Sequence, residues 1–202
     1  MKKIILSMVA VLALSTANAQ DKKESKGFGF SEGDIYVGGM LKYNNEKNDN
    51  GTTSVTTSSS TIAPEAGYFL TDKFAITLGV ALGNTDNGTT KTKTFGANVG
   101  GRYYFLNMGE RFKTYTNFGL GFGSDDNGGN GADKTNTFSI GGGLGINYFV
   151  TSNLAIDFQL SNVIGYSSEK TGDFKTNSID VNANVFNNFF GSTASFGLIY
   201  KL

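Results

Sequence analysis

Apolar residues alternate with small or polar ones at a period of two in one segment after another of this chain. The cleanest case is residues 74–83, where Phe74, Ile76, Leu78, Val80 and Leu82 alternate with Ala75, Thr77, Gly79, Ala81 and Gly83. That pattern is a strand with apolar bulk on one face. The same reading gives strands at residues 34–43, 58–70, 92–106, 112–123, 135–150, 154–166 and 192–202, eight in all. A repeated grammar joins some of them. Residues 67–80, Gly-Tyr-Phe-Leu-Thr-Asp-Lys-Phe-Ala-Ile-Thr-Leu-Gly-Val, return at 147–160 as Asn-Tyr-Phe-Val-Thr-Ser-Asn-Leu-Ala-Ile-Asp-Phe-Gln-Leu, with a looser copy at 102–113. Each copy predicts strand, tight turn, strand.

Between these hairpins lie longer polar stretches, at residues 44–53, 84–91, 124–134 and 167–188. Short and long connections therefore alternate, and both ends of the chain fall on the side of the short turns. Residues 167–188 also alternate at Ile179, Val181, Ala183 and Val185. We expect an outward extension of the last hairpin there, with a ten-strand count as the alternative, because about eight residues are too few to cross a membrane. The lone Pro64 in the second strand requires an edge or an irregularity.

The face opposite the apolar stripe decides between water and lipid. A soluble barrel turns its apolar face inward and shows charged residues to solvent. Here the other face is Gly, Ala, Ser, Thr and Asn with few charges, which suits a narrow lumen filled by small side chains. An outward apolar band is an aggregation hazard in water and a requirement in lipid, where closure satisfies every backbone group. The expectation is an all-β fold, an eight-stranded antiparallel up-and-down transmembrane β-barrel. The aromatic pairs before the short turns, Tyr68-Phe69, Tyr103-Tyr104 and Tyr148-Phe149, together with Tyr200, are expected to form an interfacial girdle.

Composition narrows the chemistry. The 202 residues include 28 Gly but only one Pro, 13% aromatics, 17% charged residues, a formal net charge of zero, and no Cys or His. No basic patch offers itself to nucleic acid. Thiolate and imidazole chemistry, the usual zinc sites and a disulfide framework are excluded, and no cofactor is implied. The loop Asp125-Asp126-Asn127-Gly128-Gly129-Asn130-Gly131-Ala132-Asp133 is rich in oxygen ligands, but its spacing is not that of a calcium loop. A solvated loop tip is the preferred reading. The glycines of Gly121-Phe122-Gly123 and Gly141-Gly142-Gly143 lie within strands, so they are not phosphate loops.

Ahead of the strands, Met1-Lys2-Lys3, the apolar run from Ile4 to Leu14 and Ala17-Asn18-Ala19 read as a secretory signal peptide over residues 1–19. Its removal takes the basic count from 17 to 15 against 17 acidic residues, a net charge of −2. Residues 20–32 then form a periplasmic leader, of which Asp21-Lys22-Lys23-Glu24-Ser25-Lys26-Gly27 is charged, carries no apolar period and is expected to be mobile, and the barrel domain spans 33–202.

The two close turn copies and the ending Ser195-Phe196-Gly197-Leu198-Ile199-Tyr200-Lys201-Leu202 resemble the small outer-membrane β-barrel proteins of Gram-negative envelopes, the OmpX-like and OmpW-like group. The resemblance covers about residues 33–202. It implies an integral outer-membrane location with both termini periplasmic, contact with outer-membrane lipid, and handling by periplasmic chaperones and the barrel-assembly machinery. The ending is similar to that family's assembly signal, carried here by Gly197, Tyr200 and Leu202, the last departing from the usual Phe.

Four charged residues fall on the predicted inner face at similar depth: Glu65, Arg102, Lys113 and Asp157. They are either a selectivity ring in a narrow pore or a structural network that plugs the lumen. The plug is preferred, because an eight-stranded barrel is only just wide enough for its own side chains. The sequence therefore predicts a monomeric, non-enzymatic barrel acting in envelope structure or surface interaction, with a narrow porin-like channel as the alternative.

Overall fold

The structure is a computed structural model that describes residues 27–49, 54–128, 131–181 and 194–202. The signal peptide and the first part of the leader lie outside these residues. Among the described residues there are nine strands: β1 Ile35–Asp49, β2 Ser54–Thr71, β3 Phe74–Asp86, β4 Lys91–Met108, β5 Phe112–Asp125, β6 Thr135–Phe149, β7 Leu154–Thr171, β8 Phe174–Val181 and β9 Ala194–Lys201. Sequential neighbours pair antiparallel from β1 to β7, β7 pairs with β9, and β9 pairs with β1. The ring is therefore a closed eight-stranded antiparallel barrel, made of β1 to β7 and β9.

β8 is the piece that puts nine strands into eight staves. It pairs with the outer half of β7, Phe174 opposite Thr171 and Val181 opposite Ile164. β9 pairs with the inner half of the same strand, from Ala194 opposite Leu160 to Tyr200 opposite Leu154. The expected outward extension of the last hairpin is thus present over residues 167–181, and the rest of that stretch lies outside the described residues. Residues 44–49, expected as part of a loop over 44–53, are strand, with the β1–β2 ladder running on to Asp49 opposite Ser54, while 50–53 lie outside the described residues. Thr and Val at 55–57 hold this polar extension extended, as β-branched residues do on a pleated surface.

Period-two alternation sets the two faces. Leu78, Phe118, Phe122 and Phe196 point outward at 64%, 55%, 58% and 64% exposure, while Phe69, Ala75, Tyr115 and Phe149 point inward and are fully buried. An apolar exterior around a buried, partly polar interior is the arrangement lipid demands. The predicted girdle needs a correction here. Tyr68, Tyr103, Tyr148 and Tyr200 face outward, but Phe69, Tyr104 and Phe149 are buried in the lumen, because consecutive residues of a strand take opposite faces.

The repeated turns share a physical device. Thr71 Oγ1 accepts from the amides of Lys73 and Phe74 at 3.3 and 3.1 Å, and Thr151 Oγ1 accepts from those of Asn153 and Leu154 at 3.3 and 3.0 Å. A threonine hydroxyl closes each turn. The looser third copy uses Gly109 at φ +70° instead, a conformation glycine adopts without steric cost. Pro64 sits where the β2–β3 ladder skips from Ile62 opposite Leu82 to Glu65 opposite Gly79, and Gly39 faces it from β1. Pairing to β3 is interrupted at Ala63 and Pro64 without a change of register.

Candidate functional site

At the short-turn end the lumen is filled, and the filling is built from charges outward. Glu65 lies on β2 between Gly38 and Gly79 of its neighbours, Arg102 on β4 beside Ala75, and Asp157 on β7 between Asn147 and Gly197. Small neighbours leave room for long side chains to cross the axis. Arg102 Nη2 reaches Glu65 Oε1 at 2.7 Å and Asp157 Oδ2 at 3.1 Å. Its guanidinium also stands 4.5 Å from the Tyr115 ring and 5.4 Å from that of Tyr36, within cation–π range.

Both carboxylates take further donors. Tyr36 Oη donates to Glu65 Oε1, and Tyr115 Oη and Asn147 Nδ2 donate to Asp157 Oδ1, each at 2.7 Å. Tyr104 Oη in turn donates to Asn147 Oδ1 at 2.7 Å. The result is one connected network with members on β1, β2, β4, β5, β6 and β7. Its carboxylates are held by charge-assisted bonds, the stronger class. Arg102 and Asp157 are only 3% and 5% exposed, so the pairing offsets a desolvation cost that either ion alone would bear in full.

Two glycines make the tyrosines possible. Gly67 is paired opposite Tyr36 and Gly145 opposite Tyr115, and a Cβ on either glycine would run into the facing phenol ring. Each ring lies across its glycine.

Below the network, toward the short turns, comes an aromatic layer. Phe30 stacks on Phe69 with ring centres 4.3 Å apart, and meets Phe149 at 5.2 Å and Tyr104 at 5.4 Å. The segment just ahead of β1 therefore crosses the mouth as a strap. It is tied down at several points: Lys201 Nζ donates to Gly29 O at 2.8 Å, Glu32 N to Asp72 Oδ1 at 2.8 Å, and Gly33 N to Phe69 O at 2.8 Å. The Arg111 guanidinium sits 4.4 Å from the Phe28 ring.

Of the four predicted lumen charges, Glu65, Arg102 and Asp157 converge. Lys113 does not join them. It lies on β5 two residues nearer the turn than Tyr115, and its stem runs beside Gly29 of the strap, at a cavity of ≈ 200 Å³ that it lines with Asp72, Lys73 and Asn107. Gly197 abuts the Gly39 carbonyl, Tyr200 faces outward, and Leu202 N donates to Ile35 O at 2.9 Å. Sequence reasoning missed Tyr36, Tyr104, Tyr115 and Asn147 as network members, and Lys201 and Phe30 as closures. The usable signal was an inward tyrosine paired opposite a glycine.

Above the network the inner wall is built of small residues. Facing inward on β4 and β5 are Gly100, Asn98 and Gly96, with Gly119, Gly121 and Gly123 opposite them. Among the described residues the lumen thus has small polar walls toward the long-hairpin end and is stopped at the other. In the acidic loop, Asp126 Oδ1 accepts from the amides of Lys93 and Gly128 at 2.7 and 3.2 Å, so this carboxylate fixes the loop to β4.

Solved structures with similar folds are outer-membrane proteins. OprG of Pseudomonas aeruginosa superposes with a TM-score of 0.50 at 16% identity, covering 86% of this chain and 98% of its own. Outer membrane protein W of E. coli gives 0.47 at 14%, covering 85% and 99%. Ail of Yersinia pestis gives 0.43 at 14%, covering 85% and 99%. Comparison with curated proteins gives no match. The model of the outer membrane protein beta-barrel domain matches residues 6–185, and the chain belongs to that family of integral outer-membrane barrels.

Proposed function

We propose that this protein is a non-enzymatic, non-conducting outer-membrane barrel that works through its outer surface, in envelope structure or surface interaction. The observation that carries this reading is the stopped lumen: a connected network around Arg102, backed by the Phe30 layer and its strap. An ion entering from the long-hairpin end meets a guanidinium already bridged to two carboxylates and ringed by tyrosines rather than a free ring of charge. The extended hairpins β1–β2 and β7–β8 supply exposed surface at the other end.

The short-turn end is assigned to the periplasm, with both termini there, and the long hairpins to the cell exterior. The protein acts as a monomer in outer-membrane lipid. Periplasmic chaperones and the barrel-assembly machinery receive it through Gly197, Tyr200 and Leu202.

Planar-bilayer recording tests the reading: the purified barrel is expected to be silent. Steady conductance that changes when Glu65 or Arg102 is neutralised would establish the narrow channel instead, the reading that the glycine-lined upper lumen favours. Trimming residues 167–188 is expected to abolish surface binding while leaving the heat-modifiable shift of a folded barrel on unboiled gels.

A further inference from the structure

On the outward face of β7 and β8, Lys170 is paired directly opposite Lys175. Ile164, Tyr166, Ile179 and Val181 share that face by alternation. Like charges directly opposite each other in a ladder are destabilising, and neither lysine forms an ion pair among the described residues. They stand over a groove of ≈ 720 Å³ whose lower wall is Phe122 and Phe138, with ring centres 5.2 Å apart, and whose one carboxylate is Asp173 at the hairpin turn. This is where the apolar band gives way to Asn136, Ser168 and the lysines.

Directly below lies a second crevice, of ≈ 630 Å³, walled by Phe118, Ile140, Leu144, Ile164 and Ile179, with Gly142 as its floor. Gly142 leaves an outward position empty between Ile140 and Leu144. From Ile164 to Lys170 is roughly 20 Å along the strand, which at a tilt of about 45° is close to the depth of one leaflet.

We propose that this face is a site for a single anionic phospholipid-like molecule of the leaflet at the long-hairpin end. Its phosphate is clamped between Lys170 and Lys175, and one acyl chain is laid down the Gly142 crevice. Two ammonium groups supply charge-assisted donors to a phosphate, and an anion between them removes the repulsion that the bare ladder carries. The crevice adds apolar burial that free phosphate cannot use. The outer leaflet is implied by the orientation proposed above, but binding itself does not depend on that orientation.

The test uses the full refolded barrel in neutral detergent, probed by native mass spectrometry with dioleoyl phosphatidate, dioleoyl phosphatidylcholine and inorganic phosphate. Phosphatidate is expected to be retained about tenfold more than phosphatidylcholine. The variant K170Q/K175Q is expected to lose that preference while keeping the heat-modifiable shift of a folded barrel. I179S, outside the lysine clamp, is expected to weaken phosphatidate about threefold and leave folding unchanged. Equal retention of the two lipids, an undiminished preference in K170Q/K175Q, or displacement of phosphatidate by an equal concentration of inorganic phosphate would each overturn the proposal.

Discussion

Arg102 and Asp157 are 55 residues apart in sequence, on β4 and β7, and meet across the lumen at 3.1 Å with both side chains buried. Removing the cation leaves the buried Asp157 and the half-buried Glu65 without their counter-ion. Arg102→Met is expected to destabilise the barrel by about 3–5 kcal/mol, read as a lower denaturant midpoint of the heat-modifiable band. The triple change with Glu65→Gln and Asp157→Asn should recover part of that loss, since no charge is then stranded. An unchanged midpoint in the single variant would show that the network bears little of the stability.

Gly145 and Tyr115 form a matched pair, so crowding one should be relieved by trimming the other. Gly145→Ala is expected to cost about 1–3 kcal/mol by overpacking against the ring. In a double-mutant cycle with Tyr115→Ala, the two losses should fall clearly short of additive. Additive losses would mean that the methyl group is accommodated without touching the phenol.

The strap and the network are separate stops in series. Deleting residues 27–32 should leave bilayers silent, because the Arg102 network still closes the lumen. Combining that deletion with Arg102→Ala should give measurable conductance. Phe30→Ala is expected to destabilise by about 3 kcal/mol through the cavity left among Phe69, Tyr104 and Phe149.

At the long-hairpin end, Lys91 Nζ lies 2.9 Å from Asp86 Oδ2. The hydrogen bond from Lys91, aided by that from the Gly88 amide, holds the Asp86 carboxyl below its ordinary value, and the same partner raises Lys91. The depressed carboxyl favours the folded hairpin above the ordinary carboxylate range, and the effect is lost as pH falls through the lowered value. A carboxyl-resolved NMR titration should show Asp86 protonating below exposed aspartates. Lys91→Gln should return it most of the way.

The staves of the barrel were legible because period-two alternation fixes a strand's faces without knowledge of its partner. The charged triad was legible for the same reason: Glu65, Arg102 and Asp157 have inward parity at similar depth. What escaped was pairwise. The fit of Tyr36 to Gly67, or of Tyr115 to Gly145, depends on register between strands, which a single strand's pattern leaves open. Lys113 has the right parity, but its side chain lies beside the strap, which the charged stretch ahead of it did not announce. Phe28 and Phe30 alternating with Gly27 and Gly29 were the only trace of it. The outer strand extensions were read as loops because their Ser, Thr and Asn residues suit both states.

Six different staves contribute to the Arg102 network, so no hairpin carries a complete copy of it. A half-formed ring in lipid holds unpaired charge and unsatisfied tyrosines, and a ring with one hairpin too many or too few separates Arg102 from one of its carboxylates. The network therefore counts strands: its ion pairs and tyrosine hydrogen bonds are all made only when eight staves have closed in this register, and every miscounted barrel is penalised from within.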